Sequence, residues 1–328
     1  MKNLNKKMFL AQNLEKPDKI PSRDGFGNGL VELGKKNKNV VSLCCDLTDS
    51  TRAAWFKEKF PDRFIEVGVA EQNMAGIAAG LAFSGKVPFI SSYAAFNPGR
   101  NWDQIRVSIC YSEANVKIEG AHAGISVGPD GATHQALEDV ASLRPLPNMT
   151  ILVPCDAIEA KKATIAAGIM KGPCYIRYGR EKVAVVTSEK TPFAIGQASV
   201  YREGTDVAIV ACGVMGYEAL MAAEQLQKDK ISCMVINNPT IKPMDEKAII
   251  AAAKKTKAMV TAEEHQTTGG LCGAVSELLA RNYPVPIEFV GVQNRFGESG
   301  QPEELLKKFG CSSADIVKAV KKVIGRKK

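Results

Sequence analysis

Short β-rich apolar runs alternate with amphipathic stretches along almost the whole chain, and this alternation constrains the fold more than any other feature. The candidate strands are 39–45 (NVVSLCC), 63–68 (RFIEVG), 87–92 (VPFISS), 115–120 (NVKIEG), 149–154 (MTILVP) and 174–178 (CYIRY). Amphipathic stretches at 72–84, 102–112 and 158–170 lie between them. Continuous Val/Ile runs separated by helices predict a parallel sheet covered on both faces. A second series has strands at 206–212, 231–237, 258–263 and 287–292, with helices near 216–228, 245–255, 270–281 and 314–323. The stretch at 184–204 has mixed polarity and no helical period, and reads as a connection. The expectation is an α/β chain of two tandem open domains with mainly parallel sheets. An N-terminal extension (1–19) precedes a first domain (20–183), and the second domain spans 205–328. A chain of 328 residues suits two domains of roughly 100–200 residues each.

Composition narrows the class. Apolar residues make up 45% and charged residues 24%, the balance of a soluble globular protein. No apolar run reaches the roughly 18 residues a membrane span needs. The N-terminus lacks the apolar core and cleavage site of a secretory signal, so a cytoplasmic address is expected. Nine cysteines are scattered without a CxxC pair, and most sit in apolar runs, as Cys44, Cys45 and Cys212 do. They read as buried, reduced thiols. Part of the net charge of +8 lies in the tail, on Lys318, Lys321, Lys322, Arg326, Lys327 and Lys328, which reads as a solvated helix end. No interleaving of aromatic and basic residues points to nucleic acid. The basic balance suits anionic substrates, though weakly.

Three segments carry candidate chemistry. In EVGVAEQNMAGIAAGLAF, Glu71 opens a helix just after a strand, followed by the small residues Ala75, Gly76, Ala78, Ala79 and Gly80. A helix-start acid is either a dipole-favoured surface group or a partly buried carboxylate with a task. In SSYAAFNPGRNWDQIR, Tyr93 and Phe96 precede an Asn-Pro-Gly turn at the end of a strand, where open α/β sheets bind ligands. Trp102, Ile105 and Ile109 share a helical face and read as packing residues. In EGAHAGISVGPDGATHQALED, His122 and His134 flank a glycine-rich loop, with a helix expected from about Gln135. Such imidazoles can bind, orient or move protons. Zinc is not expected, because no Cys or third His is suitably spaced. His265 reads equally well as structural. P-loop and GxGxxG motifs are absent, which argues against NTPases and standard dinucleotide enzymes.

These segments, in this order, resemble the pyrimidine-binding domain of transketolases. VGVAEQNMAGIAAGLA resembles the family's catalytic-glutamate motif, SSYAAFNPGRNWDQIR its aromatic segment, and GISVGPDGATHQALEDVASLRPLPNM its most specific signature. EEHQTTGGL and FGESG resemble its C-terminal domain, and the likeness covers about 20–325. The resemblance implies thiamine diphosphate as cofactor, with Glu71 hydrogen-bonded to its aminopyrimidine ring and Tyr93 and Phe96 holding that ring. Asp46 matches a further family acid. His122 matches a sugar-contacting histidine, and Asp130 and His134 match other substrate-pocket residues. Arg23, Ser50 and Arg180 stand where the family places phosphate ligands; Arg177 lies three residues from Arg180. The family's third pocket aromatic would fall near Gly99.

The chain departs from the family's full length in one way: the GDG motif that binds Mg²⁺ and the diphosphate does not occur. The resemblance therefore implies the second chain of a split transketolase. An N-terminal subunit would carry GDG, Mg²⁺ and the diphosphate in a two-plus-two assembly acting on sugar phosphates. The alternatives are the β chain of a 2-oxo acid dehydrogenase, half of a deoxyxylulose-phosphate-synthase-like enzyme, or a non-catalytic homologue that binds a partner. PDGATHQALED fits the first poorly, EDVASLRPLPNM disfavours the second, and retention of Glu71, His122 and His134 disfavours the third.

Overall fold

A computed structural model of the chain describes residues 1–327; Lys328 of the basic tail lies outside the described residues. The strands of the first half are β1 Lys19–Pro21, β2 Val40–Cys44, β3 Phe64–Glu66, β4 Val87–Tyr93, β5 Lys117–Ala121, β6 Thr150–Leu152, β7 Cys174–Arg177 and β8 Lys182–Ala184. Those of the second half are β9 Ser199–Arg202, β10 Val207–Ala211, β11 Cys233–Asn237, β12 Thr240–Lys242, β13 Met259–Gln266 and β14 Ile287–Val292. Helices α1 Ser22–Lys36, α2 Ala53–Lys59, α3 Glu71–Phe83, α4 Trp102–Gln104, α5 Asp139–Leu143 and α6 Ala157–Ile169 belong to the first half. The second half has α7 Met215–Lys228, α8 Glu246–Thr256, α9 Leu271–Asn282, α10 Pro302–Lys308 and α11 Ser313–Ile324.

The α/β architecture is as expected. One sheet has the order β12-β6-β7-β5-β4-β2-β3 and is parallel except at β12. The other has the order β14-β13-β10-β11-β9 and is parallel except at β9. Their central strands are buried along their full length, which is why they read as unbroken apolar runs.

Four features were not legible in the pattern. Helix α1 contains Gly25, Gly27, Gly29 and Gly34, a composition that hides a helix. The glycines serve close packing: a Cβ on Gly25 would collide with the Ala157 carbonyl of α6, and one on Gly29 would lie 2.9 Å from the Lys161 carbonyl. The stretch at 184–204 contains β9, the antiparallel edge of the second sheet. Strand β12 comes from the second half yet pairs with β6 as the edge of the first sheet, Thr240 opposite Leu152. Finally, α4 continues as a π-helical segment, Ile105–Tyr111, with Ile105 and Ile109 in the core.

The N-terminal residues lie along the second half. Asn5 donates to the Tyr201 carbonyl at 2.9 Å, Leu14 is buried in that core, and β1 pairs antiparallel with β8. All nine cysteines are free and buried, and burial pushes the Cys44 thiol up to about 11 and that of Cys45 to about 12. The tail helix α11 is tied to its neighbours by the surface pairs Lys321–Asp229 and Lys322–Glu288, while Lys318–Asp315 pairs within the helix. No helix among the described residues is long and apolar enough to cross a membrane.

Candidate active site

Strand order reverses at β2, which has β3 on one side and β4 on the other. Open α/β sheets leave a crevice at the carboxyl ends of strands around such a point. The loops there deliver Tyr93 from β4, His122 from β5 and Arg180 from beyond β7, while Arg23 sits in the first turn of α1.

Four of the expected residues form one cluster. The Tyr93 and His122 rings lie 4.0 Å apart, Tyr93 and Phe96 stack at 5.9 Å, and Phe96 meets His134 edge-on at 5.3 Å. Arg23 joins through its guanidinium, which donates to the Ser50 carbonyl at 3.0 Å and faces His122 Nε2 at 3.4 Å. Ser50 thus takes part through its backbone. A guanidinium has no acceptor, so Nε2 accepts and the proton sits on Nδ1. His122 Nδ1 and Arg23 Nε are both buried without a partner.

Electrostatics agree with that tautomer. Burial, and then the charges of Arg23, Arg180 and Arg52, hold the His122 imidazole down to about 3, so it is neutral at physiological pH. Burial and the nearby Arg52 also lower the pKa of Arg23. Crowded guanidiniums of this kind favour an anion among them. His122 itself stands at φ 54°, in the left-handed region, a strained position that tends to mark functional loops.

Glu71 is the first residue of α3 and only 3% exposed. Ser92 Oγ donates to it at 3.3 Å, and Arg100 Nη1 reaches both carboxylate oxygens at 3.1 Å. Arg100 also lies over the Phe96 ring at 3.9 Å, so a single guanidinium joins the carboxylate to the aromatic pair. The sequence reading missed Arg100. Its signal was the spacing of four from Phe96, a turn closed by the Arg100 amide on the Phe96 carbonyl at 2.9 Å.

The remaining candidates are placed as follows. Arg180 donates to the Val127 carbonyl at 3.2 Å and pairs with Asp130 at 3.4 Å, and both side chains are about one-third exposed. Arg177 differs from it: its side chain is 6% exposed and bonded to Asp139 at 2.8 Å and to the Ala136 and Glu264 carbonyls. Burial would raise the Asp139 carboxyl, but the charge of Arg177 keeps it below its usual range. Of the two arginines, only Arg180 has side-chain surface open to a ligand. Asp46 is exposed at φ 56°, its amide held by Glu66 at 2.7 Å, and no contact among the described residues ties it to the ring cluster. The helix expected from Gln135 begins instead at Asp139. Ala136 bridges to Ala123, and the Gln135 side chain donates to the Ile125 carbonyl at 2.9 Å and the Glu298 carbonyl at 3.0 Å; these bonds hold 135–138 out of the helix.

Beneath the cluster, β5 carries a fully buried carboxyl, Glu119, bonded to the Tyr178 hydroxyl. Burial pushes its pKa up to about 8, so the protonated form predominates at neutral pH.

Residues 18–185 match the model of the transketolase pyrimidine binding domain, and residues 196–316 that of the transketolase C-terminal domain. The chain belongs to the transketolase family. It is 42% identical over 305 residues to the 6-deoxy-6-sulfo-D-fructose transketolase subunit SqwH of a Clostridium species, covering 93% of this chain and 95% of that protein. Against human transketolase the identity is 40% over 311 residues, 94% of this chain but 49% of the human protein. A solved structure described as a split gene transketolase, inactive beta4 tetramer, superposes with a TM-score of 0.89 at 45% identity. That match covers 94% of this chain and 100% of the other. The pyrimidine-domain match contains every residue of the cluster, from Arg23 to Arg180.

Proposed function

We propose that this chain is one subunit of a thiamine-diphosphate-dependent transketolase that moves a two-carbon ketol unit between ketose and aldose sugar phosphates. A partner N-terminal subunit carrying the GDG motif would hold Mg²⁺ and the diphosphate. The observation that carries this reading is Glu71: a buried carboxylate at a helix start, bracketed by Ser92 and Arg100 beside two stacked aromatics. In a family member, that is the equipment for a polar, flat heterocycle. Near-complete coverage of SqwH and of the split gene structure supports the two-chain arrangement.

The residues present fit the cofactor's pyrimidine end. Glu71 would meet a ring nitrogen and stabilise its protonated form, while Tyr93 and Phe96 would flank the ring, with Asp46 as a further cofactor-side acid. When bound, thiamine diphosphate supplies a carbon nucleophile and an electron sink for breaking the bond next to the ketose carbonyl. His122, neutral and with its Nδ1 proton free, would donate to a sugar oxygen. Asp130 and His134 would hold hydroxyls. Arg23, Arg180 and the Ser50 segment would hold the terminal anion. Phosphate and sulfonate are both suited to that cationic end, and the SqwH likeness makes a sulfonated ketose a fair second donor to assay.

The test is reconstitution. Mixed with its N-terminal partner, thiamine diphosphate and Mg²⁺, the chain is expected to transfer ketol units from xylulose 5-phosphate to ribose 5-phosphate, and neither chain is expected to do so alone. Transfer by this chain alone, or no transfer from either donor by a mixture shown to assemble, would overturn the proposal.

A further inference from the structure

The loop that carries the candidate sugar-binding residues is held by the second domain, and one buried carboxylate grips its backbone. Glu264, on β13, is buried, and its carboxylate accepts the Ser126 amide at 2.6 Å. The backbone turns tightly around it: Gly124 stands at φ 91°, and a Cβ there would collide with the Glu264 carboxylate. Glu264 is itself fixed, because its own carbonyl accepts Arg177 Nη2 at 3.0 Å and Arg177 is locked onto Asp139. The held segment, Ile125–Asp130, lies between His122 and His134 and ends at Asp130. Its far end is braced by the same domain: a Cβ on Gly131 would collide with Ser299 Oγ, and Gln135 bonds the Glu298 carbonyl at 3.0 Å.

We propose that Glu264 is a positioning residue for sugar binding: by gripping the 124–126 backbone across the domain boundary, it sets the places of His122, Asp130 and His134. The sugar part of this inference rests on the function proposed above, whereas the grip itself does not. Glu71 stands on α3 and is held by Ser92 and Arg100, so the carboxylate contact to the cofactor is independent of the grip, whereas Tyr93 and Phe96 pack on His122 and His134 and feel it through those rings.

Two variants of the full chain test the inference, Glu264→Ala and Glu264→Gln. The glutamine keeps an acceptor oxygen for the Ser126 amide; the alanine removes it. Native-state amide exchange of Glu264→Ala is expected to lose protection within 122–135 and to keep it in the rest of β13 and the second sheet, with Glu264→Gln close to wild type. In the reconstituted enzyme, Glu264→Ala should raise KM for the ketose phosphate by about 10-fold or more, the scale of a lost charge-assisted hydrogen bond. Its kcat and thiamine diphosphate affinity should change less than KM, and Glu264→Gln should restore most of the KM. Unchanged exchange at 122–135, or protection lost throughout the second domain by both variants, would overturn the grip. An equal fall in kcat and cofactor affinity with KM unmoved would overturn the positioning role. If wild-type chain gave no transfer at all, the proposed function and the sugar role would fall, and exchange would still decide the grip.

Discussion

Replacing Glu71 with glutamine is expected to lower ketol transfer by the assembled enzyme by two to four orders of magnitude while leaving this chain folded. The size follows from the proposed role: a group that sets protonation at a reacting centre contributes typically about 10²–10⁴-fold. Glutamine matches the shape and retains an oxygen for Ser92 and Arg100, but it cannot stabilise a protonated ring nitrogen. The structural cost is small, since Arg100 is 47% exposed and can return to water. Steady-state turnover together with a thermal melt checks both halves. A Glu71→Gln enzyme with more than about a tenth of wild-type turnover would remove Glu71 from the chemistry.

The second large effect concerns stability and pH. Glu119 titrates at about 8 in the folded chain, against an ordinary value of 4.5. Between those values the folded state holds a proton that the unfolded state has released, so stability falls as pH rises. The stabilisation is complete below about 4.5 and is lost once the pH has passed about 8. The interval corresponds to a loss of up to about 5 kcal/mol. Glu119→Gln keeps an acceptor for the Tyr178 hydroxyl and has no proton to lose. Urea unfolding is therefore expected to show the variant close to wild type at pH 5 and more stable than wild type at pH 8.5. Parallel curves for the two proteins across that range would mean that Glu119 is ionised or hydrated in the folded chain.

Legibility differed by element for physical reasons. Central strands such as β10 and β11 are buried on both faces and announce themselves as Val/Ile runs. Helix α1 does not, because four of its positions must be glycine-sized to lie against α6 and its neighbours. The antiparallel edges β9 and β12 are only three or four residues long and are set by tertiary pairing, with no period of their own. At the site, the segments with unusual composition drew attention to Tyr93, Phe96, His122 and His134, and the fold brings those rings together. The groups that hold them in place leave little signal in the sequence. Arg100, Arg177 with Asp139, and Glu264 act through partners 29, 38 and 138 residues away. Local pattern carries no record of such distances. The structure also separates Arg177 from Arg180, two residues of one type in one short segment that differ in burial and in partners.

In the proposed function this chain supplies the carboxylate side of a cofactor site and cannot complete that site alone. Calorimetric titration of thiamine diphosphate with Mg²⁺ tests it most directly, run on this chain, on its N-terminal partner and on their mixture. Saturable binding is expected for the mixture, weakened when the mixture contains Glu71→Gln, and no saturable binding is expected for this chain alone. Binding by this chain alone with the affinity of the mixture would contradict it.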